Sequence, residues 1–228
     1  MSTRTAALPA FSRESPQFMS VSMTEKTCAE FSERLAAREP VPGGGGASAY
    51  VGALGTALCT MVCRFTEGKP AYAAHDESIR HTIAATDRIR HELLVLMDED
   101  ARAYVAVSAA YAIDRDDPRR ADAIEAALHE AALPPYRIMV ACARSLALLE
   151  ELGDHVSRLL ISDVACGAQL CRAALMSASL TLYANTTAMV DRKRACELEE
   201  ECEELLEHWL PRADALADAA ARAVRGRG

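Results

Sequence analysis

Apolar residues recur at three- and four-residue intervals along most of the chain, the spacing of amphipathic helices. Between about Thr24 and Glu39 they fall at Cys28, Phe31 and Leu35, and Pro40 ends the pattern. A second helix is predicted from about Ala47 to Thr66, stopped by Gly68 and Pro70. A long third segment, about Ala74 to Ala112, sets Ile83, Ile89, Leu93, Leu96, Met97, Tyr104 and Val107 against charged residues on its other face. The polar run Asp114 to Arg120 reads as a loop. Helical pattern returns from about Ala121 to Leu133, is expected to bend or break at "LPP", and resumes to Leu152. Two further helices follow, about Ser157 to Met189 and Arg192 to Val224, the last with a kink expected at Pro211. No stretch alternates as a strand would. The pattern predicts an all-α, up-and-down bundle of long helices, with residues 1–22 a disordered extension and 23–228 a single helical domain.

Two stretches break the amphipathic rule. Residues 43–63 carry no charged side chain, and Leu159 to Met189 carry only Asp163 and Arg172. The first is long enough to span a bilayer. Gly, Ala, Ser and Thr supply over half of it and aromatic belts are missing, so a buried central helix is the better reading. Gly52 and Gly55 would let neighbouring helices approach closely.

Composition narrows the chemistry. Half the residues are hydrophobic but only 5% are aromatic, which favours helix over sheet. A formal charge of −8 argues against nucleic acid as a partner, while leaving room for a small anion on a local basic patch. The first 22 residues hold no apolar run long enough for a secretory signal. The eight cysteines form no CxxC pair and no second matching pair, so no metal site is expected. They read as reduced core residues of a cytoplasmic protein. The six histidines sit mostly among charged residues and read as surface groups.

Three places could carry chemistry. "PVPGGGGAS" puts unobstructed backbone in front of the apolar helix, either as a flexible turn or as an anion site made of free helix N–H groups. Asp163 stands in an apolar context, either desolvated and so raised in pKa, or, with Ser162, capping a helix that starts later than Ser157. Thr181 and Asn185 share a helical face with Asp163, but Thr181 is about 27 Å away along the axis at 1.5 Å per residue. One subunit therefore cannot bring them to one reacting atom; a long ligand or paired subunits would be needed. In an antiparallel hairpin Asp100 lies toward the glycines and Lys69 about 30 Å off at the other end.

"PVPGGGGASAYVGALGTALCTMVCRFTEGK", "DEDARAYVAVSAAY" and "LLISDVACGAQLCRAALMSASLTLYAN" resemble, in order, blocks of the formiminotransferase-cyclodeaminase C-terminal family. The resemblance runs from about Thr24 to Leu210. It implies an all-helical folate enzyme that works as a homodimer without metal or redox cofactor. The expected reaction is hydrolysis of 5,10-methenyltetrahydrofolate to 10-formyltetrahydrofolate, since 228 residues leave no room for a fused transferase. The alternatives are formiminotetrahydrofolate cyclodeaminase, a paralogue acting on another cyclic amidine, or a non-catalytic helical binding protein. Carried onto this sequence, the resemblance makes Asp163, Asp100 and Lys69 the catalytic candidates. Pro42, Gly43, Gly44, Gly45, Gly46, Ser162, Thr181 and Asn185 become the substrate-binding ones. Thr181 stands where the family usually has Asn, and Tyr104 where it usually has Phe.

Overall fold

The computed structural model describes residues 22–226. The extension expected over residues 1–22 lies, up to residue 21, outside the described residues. Six α-helices follow one another: α1 Cys28–Ala36, α2 Gly44–Thr66, α3 Asp76–Tyr111, α4 Arg120–Leu152, α5 Ile161–Thr186 and α6 Arg192–Val224, with short 3-10 turns between some of them. No strand occurs among the described residues.

Contacts between helices fix an up-and-down order. Thr60 donates to Thr86 between α2 and α3, and Arg137 and Arg144 on α4 pair with Glu99 and Glu92 on α3. Asn185 and Gly167 on α5 meet Ala131 and Leu149 on α4, and Gln169 on α5 reaches the Ala213 carbonyl on α6. Each consecutive pair from α2 to α6 therefore runs antiparallel. Helix α2 lies in the middle, against α3, α4 and α5. It passes the length and hydropathy test for a membrane span, yet 61% of its most apolar stretch is buried within the bundle. It is a core helix.

Small residues explain how α2 fits there. A side chain at Gly52 would meet Cys142 Sγ at 2.8 Å. Gly55 faces Gly167 of α5, where a Cβ would stand 2.8 Å from the Gly167 carbonyl. The buried hydroxyls in this layer pair with each other, Thr56 with Ser145 at 2.7 Å and Thr60 with Thr86 at 2.8 Å, as burial of polar groups requires.

Several boundaries differ from the sequence reading. Helix α1 is shorter than expected, because Thr27 and Glu30 form a reciprocal capping box that starts it at Cys28. Helix α2 begins at Gly44, so three of the four glycines are its first turn rather than a preceding loop. Helix α4 runs unbroken through Pro134 and Pro135, both buried, and α6 runs unbroken through Pro211. Five cysteines are buried, but Cys28, Cys166 and Cys196 are exposed, so the thiols are not all core residues.

Candidate active site

The glycine end of α2 opens into a cleft of about 550 Å³. Pro40, Val41, Gly43, Gly44 and Gly45 form one wall and Asp100, Ala103, Tyr104, Val107 and Tyr111 of α3 a second. Leu128 and Ala131 of α4 make the floor, and Leu180, Thr181, Ala184 and Asn185 of α5 close the far side. The volume is ordinary for a small-molecule site, and most of the lining is apolar. Asp100 is the one carboxylate among the lining residues.

Asp100 is held by the start of α2. The Gly46 amide, one of the N–H groups a helix leaves unpaired at its N-terminus, donates to Asp100 Oδ2 at 2.9 Å. This works only because Gly45 has no side chain. A Cβ there would overlap the Asp100 carboxylate, with Oδ2 at 2.7 Å and Oδ1 nearer. The helix end that reads as an anion site thus already holds one anion, from its own chain. The amides of Gly44 and Gly45 take no hydrogen bond among the described residues. Burial raises the Asp100 pKa to about 6, and the Gly46 hydrogen bond opposes the rise without cancelling it. A carboxyl group so tuned changes protonation just below neutrality, as a general acid or base should.

Asn185 meets the cleft in a defined orientation. Its Nδ2 donates to the Ala131 carbonyl at 3.0 Å and to the Thr181 carbonyl at 3.1 Å. Thr181 faces Gly44, whose Cβ position lies 3.6 Å from Thr181 Oγ1. Pro42 sits behind the wall, buried, and packs against Gly46.

The remaining expected residues lie at the other end of the bundle. Lys69 follows the C-terminus of α2, exposed, at the start of the 3-10 turn Pro70–His75. Ser162 and Asp163 occupy the first turn of α5. Neither caps it, since Leu160 takes the cap position and no side-chain cap bond forms; nor is Asp163 sequestered, for it is only half-buried. The first-turn position itself favours a negative charge. At 1.5 Å per residue, about 27 Å of α5 separates Asp163 from Thr181. So one chain gathers Gly43, Gly44, Gly45, Asp100, Thr181 and Asn185, with Gly46 behind them, and leaves Lys69, Ser162 and Asp163 at the far end.

Sequence reasoning did not find the α4 floor, because Leu128 and Ala131 carry no chemical signal. The available clue is "LPP", which begins two residues beyond Ala131 and reads only as a bend or break. The six histidines are exposed or half-buried as expected, and His75 and His155 stack with ring centroids 3.9 Å apart. Among the described residues no three His, Cys, Asp or Glu side chains gather as a metal site.

Comparison with known proteins draws these features together. The family model described as formiminotransferase-cyclodeaminase matches residues 27–204. A methenyltetrahydrofolate cyclohydrolase from Methylorubrum extorquens is 33% identical over 185 residues, which is 79% of this chain and 89% of that protein. A formimidoyltransferase-cyclodeaminase from Mus musculus is 28% identical over 174 residues, 75% of this chain but only 32% of the mouse protein. The crystal structure of a formiminotetrahydrofolate cyclodeaminase from Thermotoga maritima superposes with a TM-score of 0.78 at 27% identity, covering 87% of this chain and 98% of that one. A match that embraces the glycine wall, Asp100 and the Asn185 face alike leaves one conclusion: the chain belongs to the formiminotransferase-cyclodeaminase family.

Proposed function

We propose that this protein is a methenyltetrahydrofolate cyclohydrolase. The observation that carries the reading is Asp100. It is a lone carboxylate with a pKa near 6 in an apolar cleft, in a chain 33% identical to a protein of that name across 89% of its length. The methenyl carbon between N5 and N10 bears a delocalised positive charge. A carboxylate beside it stabilises that cation and accepts a proton from the attacking water. Water oxygen bonds to the carbon and one of its protons passes to Asp100, leaving a neutral tetrahedral adduct. The C–N5 bond then breaks with its electron pair on N5, which regains a proton from Asp100. The hydroxyl proton leaves as the formyl carbonyl forms on N10. One water is consumed and one proton released. The carbon is already electrophilic, so the reaction as written draws on no metal or redox cofactor.

Pairing of two chains as a homodimer would supply what a single cleft lacks. Helices α2 and α5 are the two most apolar, yet Leu54 and Phe65 on α2 and Met176 and Leu180 on α5 stand 37–64% exposed. A two-fold axis perpendicular to this face would set each helix antiparallel to its counterpart. The Lys69–Asp163 end of one protomer then approaches the Gly44–Thr181 end of its partner. In this arrangement Asp163 acts as a second carboxylate, and Lys69, a point charge on a flexible stem, binds the substrate's carboxylates or donates a proton. The eight thiols, all unpaired, suit a reducing cytoplasmic setting.

Purified protein mixed with 5,10-methenyltetrahydrofolate tests the reading. Loss of methenyl absorbance faster than in buffer supports it; a rate equal to buffer rejects it. The likeness to the Thermotoga maritima cyclodeaminase favours one second reading, attack of N10 on a 5-formimino carbon with release of ammonia. Ammonia formed from the 5-formimino compound without methenyl hydrolysis would select it.

A further inference from the structure

We propose that Pro135 is a positioning residue: by lacking an N–H it reserves the Ala131 carbonyl for Asn185 and so fixes which face of the Asn185 amide the cleft presents. In a helix the carbonyl of residue 131 accepts from the N–H of residue 135. Proline has none, so an unbroken α4 leaves the Ala131 carbonyl without its helical donor, at a buried residue on the floor of the cleft. An unmet carbonyl there is costly, and Asn185 Nδ2 meets it at 3.0 Å. The second Nδ2 hydrogen goes to the Thr181 carbonyl at 3.1 Å. Both partners are acceptors, so the atom facing them must be the nitrogen, and both of its hydrogens are spent. Asn185 therefore offers the cleft its carbonyl oxygen, an acceptor, and matches a ligand carrying an N–H donor on its heterocycle.

This deepens the proposed function, resting on the cleft as the folate site, and the pterin's amino and ring N–H groups are donors of that kind. Restoring an N–H with Pro135→Ala gives Ala131 its helical partner and releases Asn185 to rotate. Helix propensity favours alanine over proline while loss of the buried ring opposes it, so helicity by circular dichroism at the assay temperature is read alongside KM. Weaker binding at unchanged helicity is not a folding defect.

The test is a double-mutant cycle on KM for 5,10-methenyltetrahydrofolate. Pro135→Ala should raise KM about tenfold, the scale of one displaced polar contact, with kcat within about twofold. In an Asn185→Ala background the same change should raise KM no further, since its effect passes through Asn185. An unchanged KM in Pro135→Ala, or an equal increase in both backgrounds, overturns the proposal while leaving the cyclohydrolase reading intact. If wild type neither turns over nor binds the folate, that reading fails, and ¹⁵N NMR of the Asn185 side chain decides the positioning alone. Slowly exchanging Nδ2 protons in wild type that lose protection about tenfold in Pro135→Ala support it; equal exchange in the two proteins rejects it.

Discussion

Gly45 lies so close to Asp100 that a methyl group on it would stand 2.7 Å from Oδ2 and nearer still to Oδ1. Gly45→Ala therefore cannot coexist with the Asp100–Gly46 hydrogen bond. The carboxylate must swing out or α2 must shift. Turnover should fall about 100-fold, the usual scale for a lost acid–base group. Gly44→Ala, whose Cβ would meet only Thr181 Oγ1 at an ordinary 3.6 Å, should fall far less. Equal losses in the two variants would remove the close approach as the cause.

The raised pKa of Asp100 predicts opposite effects on activity and stability. Unfolded, the group titrates near 3.8; folded, near 6. Between those values the native state binds more protons than the unfolded one, so stability falls as pH rises through this window. Above about pH 6 the buried charge costs about 3 kcal/mol, from roughly two pH units at 1.36 kcal/mol each. Asp100→Asn should raise Tm at pH 7.5 but not at pH 4, and lower kcat about 100-fold. Thermal melts at the two pH values check the first part. The wild-type kcat/KM profile checks the second, with an acid limb near pH 6 that Asp100→Asn removes.

Asp163→Asn should lower the melting temperature only slightly, by the ~0.3–1 kcal/mol that a charge in a first helical turn contributes, because the residue is half-buried and makes no side-chain cap bond. Turnover should nevertheless fall about 100-fold if Asp163 serves as the second carboxylate. Wild-type turnover in this variant would exclude Asp163 from the reaction.

Pairing of opposite ends predicts complementation. Asp100→Asn and Asp163→Asn chains should each lose turnover about 100-fold alone. Mixed after reversible dissociation, half the dimers are hybrids, each with one site in which both carboxylates are native. Roughly a quarter of wild-type activity should return. No recovery, with hybrid formation verified by mass, would mean that each site lies within one chain.

Leu180→Asp puts a charge on the exposed apolar face of α5. Under the proposed pairing it should convert a wild-type dimer to a monomer in sedimentation while helicity by circular dichroism stays constant. A monomeric wild type would count against the pairing itself.

Helix existence and order were legible because the three- and four-residue apolar periodicity is strong wherever one face is solvated. What was not legible depended on tertiary neighbours. Glycine propensity pointed to a loop at residues 43–46, but the close approach of Asp100 and Pro42 rewards a side-chain-free first turn, so the helix starts at Gly44. Pro134 and Pro135 read as a bend or break, and the break does not occur: their buried rings and the Asn185 hydrogen bond carry α4 through. The division of the expected site residues between two ends, by contrast, was legible, because the rise per residue along a helix fixes the distances from Asp163 to Thr181 and from Lys69 to the glycines.

The contact of Gly55 with Gly167 has one more implication. Where the two central helices touch main chain to main chain, neither can slide along the other without collision. The helix from Gly44 to Thr66 thus acts as a stiff ruler that sets the separation between the glycine end and the turn carrying Lys69.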